Sequence, residues 1–264
     1  MSDAAAGGVI LAEGGIEHPG ERTRFGDVVI VGGGCYGAFY AGQLLRAIER
    51  GKVALRRLIV VDRDPGCRFA REIGPSAGRE LVVADWDEFF DRYLHGETGS
   101  PDPDIIVPSP LMPHLMYRWL VRRATARWPG RRVETRPLGS GPRTPYDVPA
   151  PDGTRYLSYA DWTCPTHCIE PATCPVTRAP RTWEMAEALE VLARQHTPPL
   201  AGPVLFTCRH RAHGVGAFDR LEVQAGDLLV AGVGAAGTEA DVLVGTVSSC
   251  HGAVNRLHLG PSGS

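Results

Sequence analysis

Residues 27–37 read Asp27-Val28-Val29-Ile30-Val31-Gly32-Gly33-Gly34-Cys35-Tyr36-Gly37, an apolar run that ends abruptly in glycines. The run is short, β-branched and uncharged after Asp27, which predicts a buried strand of a parallel sheet. Beyond the glycines, Phe39, Tyr40, Leu44, Leu45 and Ile48 recur at helical spacing and predict a helix to about Arg50. Gly32 to Gly37 therefore fits G-x-G-x-x-G between a strand and a helix, the context in which that pattern has a mechanism. Gly32 permits the tight turn, Gly34 lets backbone approach a pyrophosphate, and Gly37 lets the helix pack closely on the strand. The helix N-terminus adds free N–H groups and a positive dipole end.

The same alternation continues outward. Leu58–Val61, Leu81–Ala84 and Ile105–Val107 read as further strands, with helical patterns at Trp86 to Leu94 and Leu111 to Ala126. Pro113 is expected in the first turn of the latter helix. This predicts an α/β fold, a doubly wound, mostly parallel Rossmann-type sheet. Asp62 ends the second strand and is expected to hydrogen-bond a ribose hydroxyl of the dinucleotide. It follows Gly37 by 25 residues, a long offset that an inter-element insertion from Arg50 to Arg57 would explain. Asp62 favours NAD by opposing a 2′-phosphate, while the adjacent Arg63 could accommodate NADP.

Val28 to Gly34, then Val60-Val61-Asp62-Arg63-Asp64-Pro65, then Val82-Val83-Ala84-Asp85, resemble the nucleotide-binding domain of potassium-uptake regulators of the TrkA-N/RCK type. The resemblance covers residues 26–125 and implies cofactor contacts by Gly32, Gly34, Gly37 and Asp62, with Asp85 near the adenine. It does not extend to an effector domain, so a transport role is not implied. The string Val29 to Gly34 also resembles flavoproteins, which makes FAD the alternative to NAD or NADP, although their second Gly-Asp motif is absent. S-adenosylmethionine ranks last, because methyltransferases usually carry an acidic residue before their glycines.

After residue 127 the composition changes. The reading divides the chain into an irregular lead-in (1–25), a Rossmann core (26–127), and a cysteine-rich insertion with C-terminal strands (128–264). Those strands either complete the sheet or form a small second lobe. Residues 128–156 are rich in Pro, Gly and Arg and read as a boundary or elaborated loop. A helix is expected from about Thr182 to Gln195, with strands at Val204–Thr207 and Asp241–Val247. Between these lies Cys164-Pro165-Thr166-His167-Cys168-Ile169-Glu170-Pro171-Ala172-Thr173-Cys174-Pro175. Three soft thiolate ligands in a proline-stiffened loop of little apolar content suggest a metal centre that holds the loop together. The C-x3-C-x5-C spacing and the Cys-Pro pairs at both ends favour an iron–sulfur cluster over zinc, which usually takes C-x2-C knuckles, although no standard cluster signature is matched. Cys250 is the first choice for a fourth ligand because Ser248-Ser249-Cys250-His251-Gly252 follows a convincing strand. If that strand joins the sheet in parallel, Cys250 faces the cofactor crevice. Cys208, His167, His210 and His251 are the other options, and three unliganded thiols in a surface loop are the bland one. Cys208-Arg209-His210-Arg211-Ala212-His213 could bind an anion or be a solvated loop. Cys35 and Cys67 read as packing and turn residues, and His95 and His114 as solvated or satisfied.

The global numbers exclude some classes. Net charge is −2, so nothing points to nucleic acid or an anionic membrane surface. No apolar run is long enough to span a bilayer and no signal peptide is visible, so a reducing cytoplasm is expected, where cysteines serve as thiols or metal ligands rather than disulfides. Of 28 basic residues only Lys52 is a lysine, and its polar setting makes Schiff-base chemistry improbable. The composite expectation is an oxidoreductase or electron-transfer protein that binds NAD(P) and a thiolate-ligated metal, with a small-molecule substrate or redox partner. The alternative is a non-catalytic redox or nucleotide sensor that regulates a partner.

Overall fold

The computed structural model describes residues 22–97, 99–165, 168–212 and 214–263. The first apolar runs become β1 (Thr23–Val31), β2 (Val53–Asp62), β3 (Arg79–Val83) and β4 (Ile105–Val107), all parallel and ordered β3-β2-β1-β4. That order matches the first four strands of the 3-2-1-4-5-6 arrangement found in doubly wound sheets. The connections carry α1 (Cys35–Glu49), the short α2 (Arg68–Glu72) and α3 (Trp86–Tyr93), and α4 (Leu115–Arg127) follows β4.

Several boundaries move. Thr23 to Phe25 belong to β1 rather than to a lead-in, and residues 1–21 lie outside the described residues. The expected insertion at 50–57 is in large part β2, since Val53 to Leu55 pair with Thr23 to Phe25. The polar character there comes from Arg56 and Arg57, whose guanidinium groups converge on buried Asp27 at 2.9 and 2.6 Å. Pro113 precedes α4 instead of sitting in its first turn.

The later half adds β5 (Val133–Arg136), β6 (Tyr146–Pro149), β7 (Arg155–Ser158), α5 (Met185–Gln195), β8 (Ala201–Thr207), β9 (Arg209–Ala212), β10 (Val215–Asp219), α6 (Arg220–Ala235), β11 (Ala240–Val247) and β12 (His251–Leu259). Strand β10 extends the first sheet antiparallel to β4, and β9 follows at the edge. The other six strands form a second sheet, ordered β6-β7-β12-β11-β8 with β5 also on β12, in which only β8 and β11 are parallel. The protein is thus α/β with two mixed six-stranded sheets. The strand expected at 241–247 joins the second sheet, not the first. Of the stretch 208–213, Arg209–Ala212 form strand β9 rather than a loop, with Arg209 paired to Glu222 and Arg211 to Asp219, and His213 lies outside the described residues. No described helix is long and apolar enough to cross a membrane.

The layers follow from which faces are apolar. One cluster joins Val29, Val31 and Ile106 of the first sheet to Phe90, Leu120 and Val230 of α3, α4 and α6, and on to Val204, Val244 and Leu257 of the second. These three helices are therefore sandwiched between the sheets. A second cluster packs α1 and Phe69 on the outer face of the first sheet, and a third packs Met185 and Leu189 of α5 on the outer face of the second.

One buried ion pair ties the halves together. Arg220, the first residue of α6, is 2% exposed, and its Nη1 lies 3.0 Å from Asp104 Oδ2 just before β4. Nη2 donates to the carbonyls of Tyr93 (2.6 Å) and Gly96. The other Asp104 oxygen accepts the Asp27 N–H at 2.7 Å, and a Cβ on Gly26 would fall 2.3 Å from it. Breaking such a pair leaves a buried charge uncompensated, at about 3–5 kcal/mol. Arg220→Ala is therefore expected to lower unfolding free energy by about that amount, read as a drop in urea midpoint at unchanged slope. A loss below ~1 kcal/mol would mean that the pair is not a tie.

Candidate functional site

The glycine turn closes β1 onto α1 by backbone sterics. Gly32 has φ 85°, which an L side chain resists, and a Cβ on Gly37 would lie 1.8 Å from the Gly32 carbonyl oxygen. A Cβ on Gly34 would meet nothing within 4 Å, so the side of the turn assigned to a pyrophosphate is open. Gly33, a free position in the fingerprint, is also constrained, because its Cβ would sit 2.4 Å from Cys67 Sγ. Helix α1 has no side-chain N-cap and no acidic residue in its first turn, which keeps its dipole end available to an anion.

Asp62 stands at the end of β2 as expected. Its Oδ2 accepts the Gly33 N–H at 2.6 Å and its Oδ1 the Asp64 N–H at 2.9 Å, so the carboxylate holds the glycine turn and each oxygen keeps a further lone pair. Arg63 is largely exposed, with its guanidinium 6.0 Å from the centroid of Trp86 and 3.7 Å from Asp85. Asp85 caps α3 by accepting the Asp87 N–H. Trp86, which sequence reasoning passed over, donates its indole N–H to the Val61 carbonyl and covers Gly32. All six residues assigned to the cofactor thus gather at the C-terminal ends of β1, β2 and β3.

The cysteines gather elsewhere. Cys164, Cys168, Cys174 and Cys250 line one cavity of about 190 Å3, together with Trp162, Glu170, Arg181, His210 and His251. Thus Cys164, Cys168 and Cys174 share one void with Ser248, Cys250 and His251, far away in the chain. His167 and His213 lie outside the described residues. Cys208 does not line the cavity; it follows β8, is bonded through its N–H to the Val247 carbonyl, and its thiol is pushed up to about 12 by burial. Cys35 is exposed beside Arg68, and Cys67 is buried against the glycine turn. Instead of being solvated, His114 is buried at the start of α4 and bonded to the Thr246 hydroxyl at 3.0 Å. Burial pushes its pKa down to about 3.

Each wall thiol has its own electrostatics. Burial raises Cys164, and negative charge on Cys168 and Cys174 adds to the effect. Burial raises Cys250 to about 11 despite a hydrogen bond from the Trp183 indole at 3.3 Å. Cys174 is lowered by hydrogen bonds from the backbone and hydroxyl of Thr177. The Cys168 sulfur accepts the Glu170 N–H at 3.4 Å. N–H groups aimed at sulfur are what thiolate-bound centres use to tune their ligands.

Whether a metal fits turns on the donors that the cavity wall offers. Among the described residues no three His, Cys, Asp or Glu side chains converge on a single ion-sized point. Thiolates on one zinc must all lie about 2.3 Å from it. Cys164, Cys168, Cys174 and Cys250 nevertheless line one cavity of about 190 Å3, a set of soft donors of the type that thiolate-bound metal centres use.

Two outcomes are expected. Gly37→Ala should lower the thermal midpoint, whereas Gly34→Val should leave it unchanged and weaken NAD(P)H binding at least tenfold by calorimetry; unchanged affinity would remove the dinucleotide assignment. In metal-free reduced protein at pH 8, exposed Cys35 should alkylate first. Cys208, with a thiol near 12, is ionised in only about one part in ten thousand and should stay unmodified, with Cys250 next most resistant. Mass mapping that finds Cys208 labelled as fast as Cys35 contradicts the burial argument.

No match was found among curated proteins or solved structures. Residues 116–260 match the family described as "AF_1314_C: Uncharacterized protein, C-terminal domain". The match begins inside α4 and contains all four cavity cysteines, while the glycine turn lies before it. It spans more than half of the chain, and the protein belongs to this family.

Proposed function

We propose that the protein is an NAD(P)-binding oxidoreductase or electron-transfer protein whose cysteine cavity holds an iron–sulfur centre. The observation that carries the reading is the sharing of one cavity by Cys164, Cys168, Cys174 and Cys250. A cluster is favoured over zinc because the C-x3-C-x5-C spacing with Cys-Pro at both ends departs from the C-x2-C knuckles that zinc usually takes.

The chain's own residues divide the work. Gly32, Gly34 and Gly37 shape the turn against which a pyrophosphate would lie, and Asp62 orders it. Asp62, Arg63 and Asp85 are the side chains offered to the adenosine end, where the carboxylate of Asp62 favours NAD and the guanidinium of Arg63 could admit NADP; FAD is the alternative cofactor. The four cysteines would ligate the centre as thiolates, which requires release of their protons. When bound, the centre supplies one-electron redox chemistry or polarises a substrate. Its positive charge reverses the electrostatics that keep Cys164 and Cys250 protonated, so metal uptake should strengthen as pH rises. Burial lowers His251 and keeps it neutral near pH 7, which leaves it able to accept a proton at the cavity wall.

Anaerobically purified protein is expected to be brown, to contain iron and acid-labile sulfide, and to bleach on reduction. Serine at Cys164, Cys168, Cys174 or Cys250 should each lower iron content, while serine at Cys35 or Cys67 should not. A preparation that carries neither iron nor zinc, with all four thiols open to alkylation, would sink the reading.

A further inference from the structure

Glu170 stands between Cys168 and Cys174 in a left-handed backbone, φ 52°, unusual for a residue with a side chain. Its carboxylate accepts three hydrogen bonds from the turn that bears the fourth thiol. Oε1 takes the Ser248 hydroxyl at 2.6 Å and the Cys250 N–H at 3.3 Å, and Oε2 takes the Ser249 N–H at 2.8 Å. Its own N–H meanwhile donates to the Cys168 sulfur. One residue therefore touches both ligand segments, the loop through its main chain and the turn through its side chain.

We propose that Glu170 is the positioning residue of the thiolate centre, fixing Cys168 and Cys250 on one cavity and placing a carboxylate beside the cluster that holds its potential low. The proposal rests on the iron–sulfur reading of the cavity. Its physical basis has two parts. Without the carboxylate, the turn donors of Ser248, Ser249 and Cys250 lose their acceptor, and the loop loses three hydrogen bonds to the turn that bears Cys250. A negative group beside a thiolate-bound cluster opposes the extra electron of the reduced state, so its charge bears directly on the potential. The left-handed backbone occurs where the N–H meets the Cys168 sulfur and the side chain meets the turn of Ser248 to Cys250.

The test compares full-length wild type with Glu170→Ala and Glu170→Gln, all purified anaerobically. The readouts are iron per chain, visible spectrum, midpoint potential by dye-mediated titration, and far-UV circular dichroism. Glutamine can still accept the Ser249 N–H and donate to the Ser248 hydroxyl, giving up only the long 3.3 Å bond from the Cys250 N–H, and it carries no charge. It should keep iron near the wild-type level and move the midpoint in the positive direction. Alanine should lose at least half of the iron with the circular dichroism unchanged, since the cavity loop contributes little regular structure. Wild-type iron content in the alanine variant, or an unmoved midpoint in the glutamine variant, overturns the proposal. A wild-type preparation without iron overturns the cavity reading itself, and it does so before any substitution is made.

Discussion

The buried guanidinium of Arg220 is the point on which the arrangement of both sheets depends. It lies where β10 ends and α6 begins, and it is answered by Asp104, by chain carbonyls at the end of α3, and by the Tyr93 ring. Because Asp104 also receives the Asp27 N–H, the same carboxylate registers β1, β4 and α6. A hydrophobic pair of equal volume could be as stable, but it would not specify direction or register as a charged fork does. Once α6 is placed, Val223 and Val230 complete the middle layer, and β8 and β11 can close over it.

Around the cysteine cavity the balance of forces differs. Burial and mutual proximity keep Cys164 and Cys250 protonated, while hydrogen bonds from Thr177 favour the anion at Cys174. Such a set is only partly prepared for a cation. Donors already point at the sulfurs of Cys168, Cys174 and Cys250, and on the proposed reading a bound cation would drive the remaining deprotonation. The prolines at 165, 171 and 175 limit how far the loop can relax in the meantime.

The first four strands, their helices and the glycine turn were legible because their signals are local: apolar runs of period suited to buried strands, helical spacing, and glycines where backbone crowding requires them. The grouping of Cys250 with the distant loop was legible for a related reason, since a cysteine just past an apolar run stands at a strand end. What escaped depends on partners remote in sequence. Strands β5, β6 and β7 are four residues each with no apolar run, and only pairing with β12 or with each other makes them strands. Arg56 and Arg57 disguised half of β2 until Asp27 was seen to neutralise them. Glu170 and Trp86 carry no motif at all; their roles come from Ser248 to Cys250 and from Val61, which only the fold brings near.

The hairpin β9–β10 follows directly on β8 of the second sheet, yet both of its strands belong to the first. The family match, starting inside α4, therefore includes strands whose neighbours lie ahead of it in the chain. The unit that sequence similarity marks out is not a unit that can be closed off from water. Taken alone, it would leave β10 without β4, and the middle helices bare toward the missing sheet. Inheritance and solvent exclusion thus draw different borders through this molecule. A chain that keeps the packing of this segment has to bring with it a sheet whose edge can receive β10.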